Sequence, residues 1–590
     1  MRRHVRALFA ITALGSLFAF NGSASAAECP NEAIRIAQGA THLPDCRAYE
    51  QVSPADSTAT NGYEAGGRPM FGALRADGDA AVFGSASAVG ASERAASRTF
   101  NLAHRSSAGW SSFGVLTTSE PDVYFDQSMS PTLPTPAADM SRMMFDSLRS
   151  LGPPNPIASG GSIYISAPDG KGPPTWLSRR NFESAQPSSS NSYSLPLGGS
   201  PDLSSGYFTY VATLTNVAGD DMRTSNRGLY RFEGETITPA GVLPSGNVNP
   251  KGALPAATGT RNRMLIARNQ VSADGSTLFF VSPAEGTEPK QLYVEEGDRP
   301  GRLISRDLMG NPAVSGVSML TADKKGATAE TEFAAATPDG SRVIFRSESA
   351  LTADAPEAGI KTYRAEITPT AITLAYLSAV GEGEVVNIDS DASEVIFSIP
   401  GSIIGTKSYY LWDKDRPAAP YILATDLPAN NKPMAESTFS EDGDILIFGS
   451  GGEVEPGVTP LAETFYTQIY RWTKQSEAAV CISCRRDGGT PTRFGSHMSN
   501  VPGVRTDNPV YPLGNDPDQF TQTSVVDNRK ISSDGSRVFF DTSDPLDPAR
   551  DVNNTRDVYM WENGKNHLLT SGSNPIPSLV LDSSEQGDAV

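Results

Sequence analysis

One stretch decides the fold: Ser532-Ser-Asp534-Gly-Ser-Arg-Val-Phe-Phe540. Close copies are Ser272-Ala-Asp274-Gly-Ser-Thr-Leu-Phe-Phe280, Thr337-Pro-Asp339-Gly-Ser-Arg-Val-Ile-Phe345 and Ser440-Glu-Asp442-Gly-Asp-Ile-Leu-Ile-Phe448. Weaker copies centre on Asp77, Asp139, Asp202 and Asp391. In all eight copies a Phe follows the Asp by six residues, at Phe83, Phe145, Phe208, Phe280, Phe345, Phe397, Phe448 and Phe540. A self-similar unit of this kind is typical of a repeat architecture.

The residue before each Phe is also apolar or aromatic: Val82, Met144, Tyr207, Phe279, Ile344, Ile396, Ile447 and Phe539. Successive side chains of a strand point to opposite faces, so these strands are predicted to be buried on both faces. A sheet stacked between two similar sheets, as in a propeller blade, meets that requirement. The preceding Asp-Gly pair predicts a tight turn, because Asp bonds nearby backbone and Gly adopts positive φ.

A second, aromatic strand follows most copies. Examples are Leu229-Tyr-Arg-Phe232, Leu292-Tyr-Val294, Ile469-Tyr-Arg-Trp472 and Val558-Tyr-Met-Trp561. Asn563-Gly564 is a strong hairpin signal and leads into another strand at His567–Thr570. Each unit therefore predicts four antiparallel strands, and the fold class is an all-β propeller of about eight blades.

Successive Asp positions lie 51 to 92 residues apart, so the longer units carry loop insertions. The largest insertion is predicted at about 485–522, which is rich in Gly, Pro, Asn and Asp. Loops on a rigid scaffold are where function usually resides.

The two ends of the chain carry separate signals. Residues 1–27 combine a basic start, an apolar run and Ala24-Ser-Ala-Ala27, and predict a signal peptide. Residues 28–69 are predicted to be a disulfide-closed segment with a closing strand near Tyr49–Ser53 that completes the last blade, and residues 70–590 the repeats. Ser583–Val590 fits the repeat with Glu585 in the Asp position, so we expect the chain to stop within a ninth repeat.

Four cysteines follow the predicted signal peptide. Cys29 and Cys46 are predicted to close a loop around a short helix near Glu32–Gln38. The pair Cys481 and Cys484 forms a C-x-x-C motif, which suits a redox pair, half a zinc site or a structural bridge. We predict the structural disulfide, because Ala478-Ala-Val480 indicates a strand rather than the helix that redox motifs usually open.

Composition limits the classes of partner. The net charge of −19 disfavours nucleic acid, since an acidic surface repels phosphate backbones. No segment after residue 27 is long and apolar enough to span a membrane. Together with the predicted signal peptide, these features predict a secreted or cell-wall-associated, extracellular protein.

The Ser-x-Asp-Gly-Ser-x-Val-Phe-Phe units resemble the PD40, or WD40-like, repeats of TolB-type propellers, over roughly residues 70–590. The opening, Cys29-Pro-Asn-Glu-Ala with Leu43-Pro-Asp-Cys46, resembles secreted bacterial proteins with such repeats. The resemblance implies a propeller scaffold that binds partners or ligands, and supplies no catalytic residues. TolB-like proteins often have six blades, and eight copies depart from that number.

Candidate sites are few. Asp551, Asn553, Thr555 and Asp557 place oxygen ligands at alternate positions, as calcium loops do, but the Gly and the later Glu of such loops are missing. A solvated turn is the plainer interpretation. The four His after the signal peptide are scattered, and no G-x-S-x-G, P-loop or dinucleotide fingerprint occurs. We identify no catalytic residue and expect no cofactor other than that calcium candidate.

Two functions follow as hypotheses. The first is a non-catalytic propeller that binds a protein, peptide or glycan through its loops. The alternative is a propeller-type polysaccharide lyase or hydrolase with a site in the central channel, which would need His, Asp, Arg or metal ligands converging there.

Overall fold

The computed structural model describes residues 29–52, 63–64, 68–69, 72–85, 99–115, 135–147, 162–168, 172–179, 195–210, 212–221, 228–256, 269–282, 291–313, 333–428, 437–452, 454–455, 458, 468–487, 496–498, 529–575 and 577–590. The predicted signal peptide and most of the predicted insertion at 485–522 lie outside them. The chain divides into two compact units, Met1–Tyr49 and Glu50–Val590.

The N-terminal unit is built around one helix and one disulfide. Helix α1 (Glu32–Ala37) is followed by Gly39, whose φ of +65° turns the chain, and Cys29 is bonded to Cys46. The side chain of Arg35 is buried and donates to the carbonyl oxygens of Thr41 and Leu43, at 2.7 and 2.8 Å. The predicted short helix is confirmed.

The second unit contains a hairpin and eight four-stranded antiparallel sheets, within the described residues. The hairpin is β1 (Tyr63–Glu64) and β2 (Arg68–Pro69). We call the sheets blades 1 to 8. Each consists of four consecutive strands paired in chain order, first to fourth.

Blades 1 to 4 contain β3 (Gly72–Leu74), β4 (Ala80–Ser85), β5 (Thr99–Ser106), β6 (Gly109–Gly114); β7 (Thr135–Pro136), β8 (Met143–Ser147), β9 (Ser162–Ile165), β10 (Thr175–Trp176); β11 (Leu195–Gly199), β12 (Ser205–Tyr210), β13 (Gly228–Glu233), β14 (Thr236–Pro239); and β15 (Leu254–Pro255), β16 (Thr277–Ser282), β17 (Gln291–Glu296), β18 (Arg302–Leu303). Blades 5 to 8 contain β19 (Phe333–Ala336), β20 (Arg342–Ser347), β21 (Lys361–Ile367), β22 (Ile372–Tyr376); β23 (Glu384–Ile388), β24 (Glu394–Pro400), β25 (Thr406–Asp413), β26 (Tyr421–Pro428); β27 (Thr438–Phe439), β28 (Ile445–Ser450), β29 (Gln468–Thr473), β30 (Ala478–Cys481); and β31 (Ser496–His497), β32 (Arg537–Thr542), β33 (Asp557–Glu562), β34 (Lys565–Leu568).

The first strands lie innermost and the fourth strands outermost. First strands of neighbouring blades contact each other, β7 with β11 and β19 with β23. Fourth strands such as β14 expose alternate residues to solvent. The sheets are therefore arranged radially, and the chain is an eight-bladed β-propeller, as the repeats predict.

The packing between blades confirms that the second strands are buried on both faces. The repeat Phe is at most 2% exposed in blades 2 to 8 and half-buried in blade 1, and the residue before it is at most 1% exposed in every blade. One apolar cluster joins Ile447 of blade 7 to Phe540 of blade 8, and another joins Tyr207 of blade 3 to Phe280 of blade 4.

A cross-strand ring pair occupies the middle of the blades. The repeat Phe on the second strand faces a Tyr on the third strand in seven blades, with ring centroids 5.1 to 6.2 Å apart and the rings stacked. The pairs are Phe145–Tyr164, Phe208–Tyr230, Phe280–Tyr293, Phe345–Tyr363, Phe397–Tyr410, Phe448–Tyr470 and Phe540–Tyr559. In blade 1, Asn101 stands opposite Phe83. Such pairs add to the burial energy and set the register of the two central strands.

The repeat Asp builds the turn between the first and second strands. In blade 4, Asp274 Oδ1 accepts from Ser272 Oγ at 2.6 Å and from Ser276 N at 3.0 Å, and Ser272 Oγ accepts from Thr277 N at 2.9 Å. The following Gly275 has a φ of +71°. Three of the four weaker repeats keep this backbone without Gly, since Met140, Leu203 and Ala392 have φ of 57°, 51° and 52°. The predicted role of the Asp-Gly turn is confirmed.

Main-chain hydrogen bonds connect these turns from blade to blade. Ala273 N donates to Pro338 O at 2.7 Å, and Glu441 N donates to Ser533 O at 2.9 Å. A further turn at 584–588 continues the series, because Ser533 N donates to Glu585 O and Glu585 N donates to Ala76 O, both at 2.8 Å. This ninth turn therefore joins blade 8 to blade 1.

The ninth turn corrects one prediction about register. Gly587 N donates to Ser584 O, as Gly275 N does to Ser272 O in blade 4. Gln586 therefore stands in the Asp position, whereas the sequence pattern placed Glu585 there. The sequence alone offers two consecutive serines as the start of the turn, and only the hydrogen bonds select the second.

The predicted closing strand lies elsewhere. Val52 O accepts from Ser112 Oγ at 2.6 Å, and Glu50 accepts from Trp110 Nε1 at 2.7 Å. Both partners belong to β6, so residues 50–52 lie against the outer strand of the first blade and not against the last blade.

The turn-to-turn contact predicts the effect of substitution at two glycines. A Cβ on Gly275 would lie 2.2 Å from Ser200 N, whereas a Cβ on Gly564, at a similar φ, would have nothing within 4 Å. We expect Gly275→Ala to cost more than about 3 kcal/mol in free energy of unfolding, and Gly564→Ala about 1 kcal/mol from backbone strain alone. Urea unfolding of both variants measures this difference, and equal losses would contradict a tight contact between turns.

Candidate binding face

Because successive strands of a blade run in opposite directions, the segments that connect them lie on two opposite faces of the propeller. The repeat turns and the third-to-fourth hairpins lie on one face, which we call the turn face. The loops between second and third strands lie on the other, which we call the loop face. Its described segments are 212–221, 348–360, 401–405, 451–452, 454–455, 458 and 543–556.

The Tyr of the ring pair also anchors these loops. Tyr363 Oη donates to Ser349 O at 2.7 Å and accepts from Leu351 N at 2.9 Å. Tyr230 Oη accepts from Leu214 N at 3.0 Å and lies 2.9 Å from Asp220 Oδ1. The hydroxyls of the corresponding tyrosines in blades 7 and 8 contact Gly452 O and Asp551 Oδ2. The Tyr ring thus packs within the sheet while its hydroxyl holds the base of the loop.

A hydroxyl beyond the fourth strand gives a second recurring contact that sequence reasoning missed. It accepts a hydrogen bond, at 2.8 to 3.2 Å, from the N–H of the second residue of the third strand. The residues are Ser178, Ser305, Ser483 and Thr570, in blades 2, 4, 7 and 8. They follow the stacked Tyr by 11 to 14 residues, a spacing that becomes visible only once the Tyr positions are aligned.

The calcium candidate lies in the loop of blade 8. Asp557 accepts from Asn553 Nδ2 at 2.7 Å and from Thr570 Oγ1 at 2.5 Å, while Asn553 Oδ1 accepts from Thr555 N at 2.9 Å. Asp551 accepts from Tyr559 instead. Within the described residues, no group of three or more His, Cys, Asp or Glu side chains is placed to hold a metal ion. Calcium binding by these four residues stays a prediction.

Asp551 is a buried carboxyl with one short partner. Its Oδ2 lies 2.5 Å from Tyr559 Oη, and burial raises its pKa to about 6. Since the folded pKa is raised, the stability that this group contributes is present at acidic pH and lost as the pH rises through about 6.

Removing the Tyr559 hydroxyl should therefore have a pH-dependent cost. We expect Tyr559→Phe to lose about 1 to 3 kcal/mol at pH 8, where an ionised carboxylate is left buried without its donor, and less at pH 5. Urea unfolding at both pH values measures the two losses. The double variant Tyr559→Phe/Asp551→Asn should regain part of the loss at pH 8, and an unchanged loss there would contradict this account.

The second disulfide closes a short segment at the edge of blade 7, and Glu455 holds a neighbouring loop against it. Cys481 ends β30 and is bonded to Cys484, and both are buried. Glu455, from the loop between β28 and β29, accepts from Cys481 N at 2.6 Å and pairs with Arg486 at 3.2 Å. The motif stands at the end of a strand, as predicted, and not at the start of a helix.

Two isoleucines project from the loop face of blade 6. Ile403 is 61% exposed and Ile404 is 102% exposed, in the turn between β24 and β25. Asp426 holds this turn, because its carboxylate accepts from Ser402 N at 2.6 Å and from Thr406 Oγ1 at 3.1 Å. The two side chains are therefore presented to solvent by an ordered turn.

Exposed carboxylates also lie on the loop face of blades 5 and 6. Glu348, Asp354 and Glu357 lie on the loop of blade 5, and Glu382 and Glu384 lead into blade 6. Buried Lys361 donates to the carbonyl oxygens of Glu348 and Glu357, and burial lowers its pKa. Glu384 pairs with Lys407.

The remaining candidates are not brought together. His104 and His567 lie on strands of different blades, and His42 belongs to the N-terminal unit. Trp412 and Trp472 are at most 4% exposed, and Trp561 lies 5.0 Å from the guanidinium of Arg471. The burial of Trp412 and Trp472 fits packing between blades.

Comparisons with known structures find other propellers at low identity. TolB from Acinetobacter baumannii is 13% identical with a TM-score of 0.25, over 65% of this chain and 75% of that chain. The β-propeller domain of the Trilobed protease from Pyrococcus furiosus is 10% identical with a TM-score of 0.29, over 71% and 98%. A puromycin-hydrolyzing peptidase from Mycobacterium tuberculosis is 13% identical with a TM-score of 0.31, over 77% and 55%.

A TolB-type propeller is thus among the similar structures, as the repeats predict. Matches this distant carry no argument about function. No protein-family model and no curated protein matches the chain. In the part of the chain that the structure describes, no helix has the length and apolar character needed to cross a membrane.

Proposed function

We propose that this chain is an exported propeller scaffold that binds a protein or peptide partner through its loop face. The observation that carries the proposal is the Ile403–Ile404 turn, which exposes two large aliphatic side chains on a held backbone. Exposed aliphatic residues on an ordered surface favour a contact that removes them from water.

The exposed side chains favour a protein or peptide over a glycan. Sugar rings are usually held by exposed aromatic faces. Among the described residues of the propeller unit, the exposed large hydrophobic side chains are all aliphatic or Met, whereas the Trp residues are buried or half-buried. Aliphatic side chains and carboxylates on the same face suit a partner that offers apolar and basic groups.

Export is supported by the sequence and by the cysteines. Residues 1–27 have the pattern of a signal peptide, and four cysteines form two disulfides. Disulfides persist in oxidising, extracytoplasmic compartments. A secreted or cell-wall-associated location is therefore part of the proposal.

The test compares two surfaces of one blade. Ile403→Ser/Ile404→Ser changes the loop face, and Ile422→Ser, at a side chain that is 61% exposed on β26, is the matched control. The chain from residue 28, immobilised, is used to capture cell-envelope and secreted proteins from its own source, with quantitative mass spectrometry as the readout. We expect a specific partner whose capture falls about tenfold with the double variant and is unchanged with Ile422→Ser.

Two outcomes would reject this surface as the site. Equal capture by the double variant would place the contact elsewhere. An equal loss with Ile422→Ser would indicate non-specific adhesion of apolar surface.

A further inference from the structure

Adjacent blades are tied together on the turn face by arginines. Arg342 begins the second strand of blade 5 and donates to Asp391 O, in the turn of blade 6, at 3.1 Å. Arg537 begins the second strand of blade 8 and donates to Gly587 O, in the ninth turn, at 3.4 Å. A guanidinium stays charged at any physiological pH, so these ties do not titrate.

Blade 6 has the opposite charge at the same position. Its second strand begins with Glu394, and the cation comes from the neighbouring blade. Lys474, in the turn after β29 of blade 7, lies 2.6 Å from Glu394 Oε1 and 2.9 Å from Asp413 Oδ2. The seam between blades 6 and 7 therefore contains an ion pair whose acidic member can take up a proton.

Carboxylates outnumber cations around Glu394. Asp413 lies on the third strand, and Asp389 and Asp391 lie in the turn of blade 6, where Asp389 accepts from Glu394 N at 2.9 Å. Lys474 is the cation from blade 7, whose own turn adds Asp442 and Asp444 on either side of Gly443. Arg342 reaches Asp391 from blade 5, at 4.0 Å.

Glu394 is buried with one oxygen unsatisfied. Its side chain is 1% exposed, and Oε2 has no hydrogen-bond partner among the described residues. A Cβ on Gly443, in the turn of blade 7 that covers the cluster, would lie 3.3 Å from Oε2 and 3.4 Å from Asp389 Oδ2. An ionised carboxylate in this position loses solvation that a single Lys, shared with Asp413, does not fully replace.

We propose that the seam between blades 6 and 7 is a pH-responsive joint, tightened when Glu394 takes up a proton and loosened when it ionises. The direction follows from linkage. Burial raises the pKa of Glu394 to about 7 and that of Asp389 to about 6. A carboxyl whose folded pKa is raised contributes stability at acidic pH that is lost as the pH rises through the folded value. The proposal does not depend on the proposed partner.

Hydrogen exchange of the whole chain tests the joint. The probe is the amide of Lys474, which donates to Asp444 O at 2.9 Å beside the seam, with exchange corrected for the intrinsic effect of pH. We expect the wild-type seam to open on the order of tenfold less at pH 5.5 than at pH 8. Glu394→Gln should reduce that change to roughly the few-fold part that Asp389 contributes, because it removes the carboxyl with the higher pKa. Arg537→Gln, at the equivalent position of blade 8, should leave the pH response at Lys474 intact.

A second variant keeps the test decisive if Glu394→Gln does not fold. Lys474→Met removes the cation that favours ionised Glu394, so the midpoint of the pH response, read at the amide of Glu394, should move upward. An unmoved or lowered midpoint would overturn the proposal. A full pH response in Glu394→Gln, or none in the wild type, would overturn it as well.

Discussion

The stacked Phe–Tyr pair between the second and third strands is the contact on which the rest of the propeller depends. It lies between the two central strands of a blade, where both sheet faces are covered by neighbouring blades. Its Phe contributes to the apolar packing between blades, and its Tyr sends a hydroxyl to the loop base in four of the blades. A single cross-strand pair thus couples register, packing and loop position.

Closure of the ring relies on a different interaction, the main-chain bond from one repeat turn to the next. The ninth turn extends this series from Ser533 through Glu585 to Ala76, so the last and first blades meet through the same contact that joins the others. Asp582 strengthens the junction, because its carboxylate accepts from Leu74 N at 2.7 Å and from Arg529 N at 2.5 Å. The turn Asp residues use Oδ1 for local hydrogen bonds, and in the described part of the chain they form no group placed to hold a metal ion.

The sequence predicted the blades well because their cause is local. Asp, Gly and Phe act within nine residues, and an apolar pair such as Phe279 and Phe280 already implies burial on both faces. The Tyr partner could not be assigned, because 13 to 22 residues separate it from its Phe and only strand pairing sets the register. The position of residues 50–52 was missed for the same reason. Glu394 could not be singled out from the sequence, because its role becomes apparent only when the arginines at the same strand position in other blades are compared with it.

The two faces of the molecule differ in what their charges do. On the turn face, carboxylates and guanidiniums form the hydrogen bonds and ion pairs of the turns and of the seams between blades, so the charged groups there stabilise the ring. On the loop face of blades 5 and 6, carboxylates and two isoleucines remain exposed. Strand β24 connects the two, since it begins at Glu394 in the seam and ends at Pro400 just before the Ile403–Ile404 turn. Residues 394–398 of that strand are buried, so it behaves as a stiff element. We infer that a change at the seam would reach the loop face as a tilt of the whole blade and not as a local rearrangement. The NMR resonance of the Ile404 amide should therefore shift with pH in the wild type and not in Glu394→Gln.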